Sequence, residues 1–244
     1  MELPVDKNSF QFKQFLIHQE HTAMKVGTDS DLLGALCAEG NRVLDVGTGT
    51  GVLALMMAQR CPTATVTAVE IDENAVLDAD RNFRESSFAN RITLVHSSFQ
   101  DYLKEHTQPA FDCVVCNPPY FDKSLECPDQ GRTRARHSSS LPFYVLIKGV
   151  YDLLEEGGCF TVCLPPEVLQ DFTQECKVRG FNVQQVYKIK TVPRRAPKRF
   201  IVVYRKGTVD MPNEQECCMR NADGTRSDWY LNLMKDYLLD GHVL

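Results

Sequence analysis

Val43-Leu44-Asp45-Val46-Gly47-Thr48-Gly49-Thr50-Gly51 sets the reading of this 244-residue chain. A β-branched apolar run passes through three glycines into a helical pattern in which Leu53, Met56 and Met57 share one face. Glycines let the chain turn sharply and let a ligand approach the backbone. The helix start behind them offers unsatisfied N–H groups. The spacing is GxGxG, not the GxGxxG of dinucleotide sites, and Asp45 stands two residues before the first glycine. A pyrophosphate would be repelled by that carboxylate. A cofactor carrying a sulfonium and an ammonium group would be attracted to it.

Outward from the loop, strand and helix patterns alternate. Arg42–Val46, Thr65–Glu70, Ile92–His96, Phe111–Cys116, Cys159–Leu164, Asn182–Ile189 and Phe200–Arg205 read as strands. Ala75, Ala79 and Phe83 repeat at helical spacing, and Val145, Val150 and Leu153-Leu154 predict a helix ended by Gly157-Gly158. The alternation predicts an α/β, Rossmann-like fold, with a mostly parallel seven-stranded sheet covered by helices on both faces. The loop between the last two strands is too short for a crossover helix, so the last strand is expected to be antiparallel.

Before the core, Asp31–Leu36 predicts a short helix capped by Thr28, Asp29 or Ser30. After it, residues 207–221 read as polar and irregular, and Asp228–Leu239 as an amphipathic helix carrying Trp229, Leu233 and Tyr237. A single domain over 1–244 is expected, with an N-terminal cap over 1–41, the core over 42–206 and a C-terminal extension over 207–244. Hydrophobic residues at 43% and charged residues at 24% exclude a disordered chain. No apolar run approaches the roughly 18–20 residues of a membrane helix. The opening Met1-Glu2-Leu3-Pro4-Val5-Asp6 is too polar for a signal peptide, so a cytoplasmic location is expected. Cys113 and Cys116 form a CxxC, but it lies inside an apolar strand without a second pair. Buried reduced thiols, and no metal, are expected. A monomer is expected.

Three further strand ends carry chemistry. Val69-Glu70-Ile71-Asp72 ends the second strand, where the Glu70 carboxylate could accept from both hydroxyls of a ribose and Ile71 lies beside it. Asp72 also suits a helix start. His96-Ser97-Ser98-Phe99 ends the third; Phe99 could cover an adenine ring or pack in the core. Asn117-Pro118-Pro119-Tyr120 ends the fourth. As a bare dipeptide, Asn-Pro is also a common turn.

Together these residues resemble class I methyltransferases, which implies S-adenosylmethionine as cofactor. Asn117-Pro118-Pro119-Tyr120 resembles the motif of the amino-methylating branch. An exocyclic amine is a poor nucleophile because its lone pair is delocalised into the ring. Two acceptors, the Asn117 side-chain oxygen and the Pro118 carbonyl, would favour pyramidal nitrogen. The prolines would hold that carbonyl through fixed φ, and Tyr120 would stack on the base. Positioning and fixed dipoles would supply the acceleration.

Adenine amines, guanine amines and protein glutamine amides all share the motif. Rim charge favours nucleic acid. The loop after the fourth strand holds Lys123, Arg132, Arg134, Arg136 and His137. The segment after the sixth holds Lys188, Lys190, Arg194, Arg195, Lys198 and Arg199, although net charge is −5. Met24 to Leu33, the glycine loop, the tetrapeptide and Arg134-Ala135-Arg136-His137 are together similar to the bacterial tRNA(Val) (adenine-37-N6)-methyltransferase family, from about Phe10 to Arg205. The resemblance implies adenine N6-methylation in a tRNA anticodon loop, with an unstacked base drawn in. It places the segment around Lys25–Asp29, with Lys25 and Thr28, at the cofactor, beside Asp45, Gly47, Thr48, Gly49 and Gly51. Ser98 stands where relatives often have Asp accepting from the cofactor's adenine; a hydroxyl accepts more weakly. The alternatives are a protein glutamine N5-methyltransferase, an rRNA guanine N2-methyltransferase, or a non-catalytic cofactor-binding RNA chaperone.

Overall fold

The computed structural model describes residues 8–118 and 141–239. A hairpin of β1 (Ser9–Gln11) and β2 (Leu16–His18) leads into α1 (Thr28–Leu36). Then follow β3 (Arg42–Val46), α2 (Val52–Arg60), β4 (Thr65–Glu70), α3 (Glu73–Glu85), β5 (Ile92–His96), α4 (Phe99–Glu105) and β6 (Phe111–Cys116). The second half carries α5 (Phe143–Leu153), β7 (Leu154–Leu164), α6 (Pro166–Arg179), β8 (Phe181–Lys190), β9 (Arg199–Lys206), β10 (Asn213–Cys218) and α7 (Asp228–Met234).

The main sheet runs β10-β8-β9-β7-β6-β3-β4-β5. Strand β9 is antiparallel to both neighbours, and every other pairing is parallel. Succession moves from β3 outward through β4 to β5, then returns to β6 on the other side of β3. That reversal opens a crevice at the carboxyl ends of β3 and β6. Val46 pairs with Cys116 in the register of these strands, so Gly47 and Asn117 leave adjacent strands side by side.

Period-two alternation divides the core between two faces. Val43 packs with α1, α2 and the hairpin, beside Leu33, Met56, Phe83 and Phe12. Leu44 and Val46 face the other way, toward Phe99, Leu146, Val150 and Phe172. Asp45 shares the Val43 face, and its side chain is fully buried.

Several expectations are corrected. The sheet has eight strands, because Asn213–Cys218 within the supposedly irregular 207–221 segment pairs with β8. Glu214 and Glu216 reach Lys188 and Lys190, so ion pairs secure this edge where apolar alternation is lacking. Helix α5 ends at Leu153, and Gly157-Gly158 lie inside β7, near the register shift against Phe111 and Cys113. Helix α1 starts at Thr28 behind Gly27, whose N–H and carbonyl both bond the Ser30 hydroxyl. The C-terminal helix stops at Met234, capped by Ser227, and Leu238 forms an isolated bridge with Phe12. Trp229 packs partly buried against the core. The β1–β2 hairpin lay outside the sequence reading, because three-residue strands carry almost no periodic signal. Among the described residues no helix is long and apolar enough to cross a membrane, and no group of three His, Cys, Asp or Glu side chains is placed to hold an ion.

Candidate cofactor and active site

The glycine loop forms the floor of a cavity of about 550 Å³ at the carboxyl ends of β3, β4 and β6. Gly47 and Gly49 have φ of 72° and 57°, a region that L side chains avoid. A Cβ on either would meet nothing within 4 Å, so both face open space. Gly51 differs: a Cβ there would lie 2.4 Å from the Phe83 ring, so this glycine lets α2 start against α3. The N–H groups of Gly47 and Thr48 donate to the Val69 carbonyl at 2.8 and 3.1 Å. That of Gly49 donates to Glu70 Oε2 at 2.8 Å.

Both acids are engaged by the glycine loop itself. Glu70 is buried at the rim of the cavity, but Ile71 and Asp72 N–H groups both donate to its Oε1 at 2.8 Å. With the Gly49 bond, three of about four lone-pair positions are occupied. One acceptor position is left free, and Glu70 fastens loop to strand. Asp45 does not line the cavity. It lies beneath the loop, where the Thr48 hydroxyl donates to Oδ2 at 2.6 Å. Its Oδ1 is buried without a hydrogen-bond partner among the described residues. Burial pushes its pKa up to about 7, against the lowering effect of the Thr48 bond. Asp72 caps α3 by accepting from the Ala75 N–H at 2.9 Å.

Lys25, Gly47, Thr48, Gly49, Glu70, Ile71, Ser98, Phe99, Asn117 and Pro118 all line the cavity, whereas Thr28 and Gly51, like Asp45, do not. Thr28 opens α1, and its neighbour Ser30 reaches the cavity instead. Lys25 Nζ donates to Asn8 Oδ1 at 3.1 Å. Ile71 is 53% exposed, an uncovered apolar surface at the mouth. Phe99 packs in the core and also lines the cavity. The Ser98 hydroxyl caps α4 by accepting from the Asp101 N–H at 3.0 Å, and donates to Asp101 Oδ2 at 2.6 Å. One lone pair remains for any further donor. Sequence reasoning missed Thr22, Ala23, Met24 and Leu141 on the wall, while Val26 falls within the expected Lys25–Asp29 segment. Small and apolar residues before a helix carry no pattern that marks a site.

Asn117 Oδ1 is buried and has no hydrogen-bond partner among the described residues. Buried amide oxygens are almost always satisfied. An unfilled acceptor on the wall of a cavity is thus placed to receive a donor from a bound molecule. Pro119 and Tyr120 lie outside the described residues, as do Lys123, Arg132, Arg134, Arg136 and His137.

The basic rim is smaller than its residue count. Lys188 and Lys190 are paired with Glu214 and Glu216, and Arg199 Nε meets Asp29 Oδ2 at 2.6 Å. Lys190 and Arg199 are corrected accordingly from open phosphate contacts to partners in internal ion pairs. Arg194, Arg195 and Lys198 are exposed on the β8–β9 loop, at the same edge of the sheet as Asn117.

The reversed strand order, the antiparallel penultimate strand and the glycine-floored cavity define a class I methyltransferase. The family profile "Methyltransferase small domain" matches residues 21–130. A predicted O-methyltransferase of Agrobacterium tumefaciens superposes with a TM-score of 0.69 at 20% identity, covering 86% of this chain and 96% of its own. P. horikoshii TYW2 in complex with MeSAdo superposes at 0.57 and 13%, covering 81% and 70%. Sequence relatives are much closer. The tRNA1(Val) (adenine(37)-N6)-methyltransferase of Bacteroides fragilis (strain YCH46) is 39% identical over 232 residues, covering 94% of this chain and 97% of the relative. The protein of the same name from Pedobacter heparinus is 37% identical, with 96% and 99% covered. That from Proteus mirabilis is 33% identical, with 96% and 94% covered. The chain belongs to the tRNA1(Val) (adenine(37)-N6)-methyltransferase family.

Proposed function

We propose that this protein transfers a methyl group from S-adenosylmethionine to the exocyclic N6 of an adenine in tRNA, adenine 37 of tRNA1(Val). The observation that carries the reading is the unfilled, buried Asn117 Oδ1 on the wall of the glycine-floored cavity. The residues fit the cofactor. Gly47 and Gly49 leave room at the floor, Ile71 offers an uncovered apolar surface, Glu70 keeps one acceptor position, and Asp45 supplies negative charge beneath. Lys25, Thr48, Ser98 and Phe99 complete the wall.

S-adenosylmethionine supplies an electrophilic methyl group on a sulfonium. Asn117 Oδ1 and the Pro118 carbonyl accept the two amine hydrogens, which localises the nitrogen lone pair and turns it out of conjugation. The fixed φ of proline keeps that carbonyl rigid, and Tyr120 stacks on the base. Nothing in this chemistry calls for a metal ion. Arg194, Arg195 and Lys198, with Arg132, Arg134, Arg136 and His137, carry the phosphates of the anticodon loop. We take 1–244 as one domain acting as a monomer in the cytoplasm, where tRNA is found.

The test uses isotopically labelled S-adenosylmethionine and bulk tRNA from cells lacking the modification. Label appears in N6-methyladenine at position 37 of tRNA1(Val). Asn117→Ala lowers turnover by about 10²–10³-fold, the scale of losing one preorganised polar contact, and retains cofactor binding. Label in guanine or in protein glutamine overturns the substrate, and equal loss of turnover and binding in Asn117→Ala overturns the role of that side chain.

A further inference from the structure

One wall of the cavity is built by a segment with no regular structure, residues 19–26, of which Thr22 to Val26 line the cavity. What holds that segment is a polar stripe on α3. Asp78 is 2% exposed, and three donors converge on its carboxylate. The His21 N–H lies at 3.0 Å and the Thr22 N–H at 2.8 Å from Oδ2, and His21 Nδ1 lies 2.8 Å from Oδ1. Burial alone would raise the carboxyl pKa, but these hydrogen bonds outweigh it and hold the group below its ordinary range. One turn on, Asn82 is fully buried and uses both ends of its amide. Its Oδ1 accepts from the His18 N–H at 2.7 Å. Its Nδ2 donates to the carbonyls of His18 and Thr50 at 2.8 and 2.9 Å. Thr50 belongs to the glycine loop. The segment closes on itself where Gln19 Oε1 accepts from the Val26 N–H at 2.9 Å.

The same helix also lines the cavity directly. Its cap Asp72 and first-turn Ala75 lie on the wall, beside Ile71. One rigid element therefore fixes two walls: its first turn forms one, and at Asp78 it pins the segment that forms the other, while Asn82 holds the strand end at His18 and the glycine loop at Thr50. Helix rise of about 1.5 Å per residue sets the separation of these anchor points.

We infer that Asp78 and Asn82 are positioning residues for the cofactor cavity, fixing the 19–26 segment and the glycine loop against one helix so that the cavity is preorganised. The inference rests on the cavity being the S-adenosylmethionine site. Neither residue lines the cavity, so neither touches the cofactor or the adenine. Their effect is on the entropy of ordering the segment, which binding must supply if the pegs are lost. Loss of the pegs is read as a fall in cofactor affinity of at least about tenfold.

The test is Asp78→Asn in the full chain. The amide keeps the shape and one acceptor oxygen but loses the charge, and its N–H₂ replaces the oxygen that faces His21 Nδ1. The dissociation constants of S-adenosylmethionine and S-adenosylhomocysteine rise at least about tenfold, while kcat at saturating cofactor and tRNA stays within about threefold. In the cofactor-free protein, amide hydrogen exchange accelerates in residues 19–26 and stays at wild-type rates in β3, β4 and β6. His21→Ala, at a half-exposed side chain, produces a smaller change in the same direction and serves if Asp78→Asn does not fold. Unchanged cofactor affinity in either folded variant overturns the inference, as does a loss confined to kcat or faster exchange across the whole sheet. Failure of the wild-type protein itself to bind S-adenosylhomocysteine would overturn the cofactor assignment instead.

Discussion

Asp45 provides the sharpest electrostatic test of the site. Its carboxyl is fully buried under the glycine loop, with a pKa raised by burial from 3.8 to about 7. A cation arriving above the loop interacts with this group only when it is ionised, so binding of a sulfonium cofactor is coupled to loss of the proton. The size of the coupling follows from the pKa alone. With a value near 7, about one-tenth of the protein is ionised at pH 6 and about nine-tenths at pH 8. If only the ionised form binds well, apparent affinity scales with that fraction. The dissociation constant of S-adenosylmethionine therefore falls by up to about tenfold from pH 6 to pH 8, or about 1.4 kcal/mol. S-adenosylhomocysteine, which lacks the sulfonium charge, shows a smaller change. Asp45→Asn keeps an acceptor for the Thr48 hydroxyl and abolishes the dependence.

Isothermal titration calorimetry at pH 6, 7 and 8 measures the constants, and repeating it in buffers of different ionisation enthalpy counts protons released. The expected release is a fraction of a proton per cofactor, greatest below pH 7 and absent in the variant. A wild-type affinity that is flat across this range, or a dependence of equal size in Asp45→Asn, would refute the reasoning. The first result would mean that Asp45 keeps its protonation state when the cofactor binds. The second would assign the titration to another group.

Three other perturbations bear on the rim, the core and the loop. Replacing Arg194 and Arg195 by Ala lowers the slope of log K against log salt for tRNA binding by about 2, whereas Lys190→Ala changes it by less than half as much because Glu216 already neutralises that ammonium; filter binding over a salt series distinguishes them. Asp31 is fully buried in α1, neither of its oxygens is hydrogen-bonded among the described residues, and burial raises its pKa to about 7. The folded state holds a proton that the unfolded chain releases above about pH 4, so this contribution is complete at low pH, declines as pH rises and is spent near pH 7, by at most about 4 kcal/mol in total; Asp31→Asn flattens the urea midpoint between pH 4 and 7, and an unaltered profile would place the proton elsewhere. Gly51→Ala forces φ of 85° on a Cβ that meets Phe83, for a loss of about 2–4 kcal/mol; Gly49→Ala costs about 1–2 kcal/mol in the same thermal melt but obstructs cofactor binding, since its Cβ would stand in the cavity.

Legibility in the sequence followed burial. Strands β3 to β6 were readable to the residue because parallel strands covered on both faces are near-continuous β-branched runs with polar or glycine ends. Strand β10 was not, because Asn213-Glu214-Gln215-Glu216 has no apolar rhythm. Its pairing with β8 brings Glu214 and Glu216 within reach of Lys188 and Lys190, a fact of topology and not of local pattern. The α3 stripe was hidden for the complementary reason. Asp78, Asn82 and Glu85 are polar residues at helical spacing, the same pattern that a solvated helix face carries. Only the return of residues 18–22 over that face turns it into an interface.

The acids show where position and chemical state part company. Glu70 is at the strand end that the sequence indicates, yet most of its accepting capacity is spent on backbone N–H groups. The cause is local: a glycine loop and a helix start both leave N–H groups without intrahelical partners, and at this crevice they converge on one point. A carboxylate is the acceptor that can satisfy several of them at once. Asp78 does the same for the 19–26 segment, and Asp45 for Thr48. Charged acceptors thus hold the shell of the cavity, while the unfilled acceptor that faces its interior is the neutral amide of Asn117. This division has a chemical reason. A carboxylate at position 117 would be a costly buried charge before substrate arrived, and it would hold the proton that the methylated amine must release. An amide oxygen accepts from the amine hydrogens and directs the lone pair without acting as a base, and the weakly basic methylated nitrogen gives its proton to water.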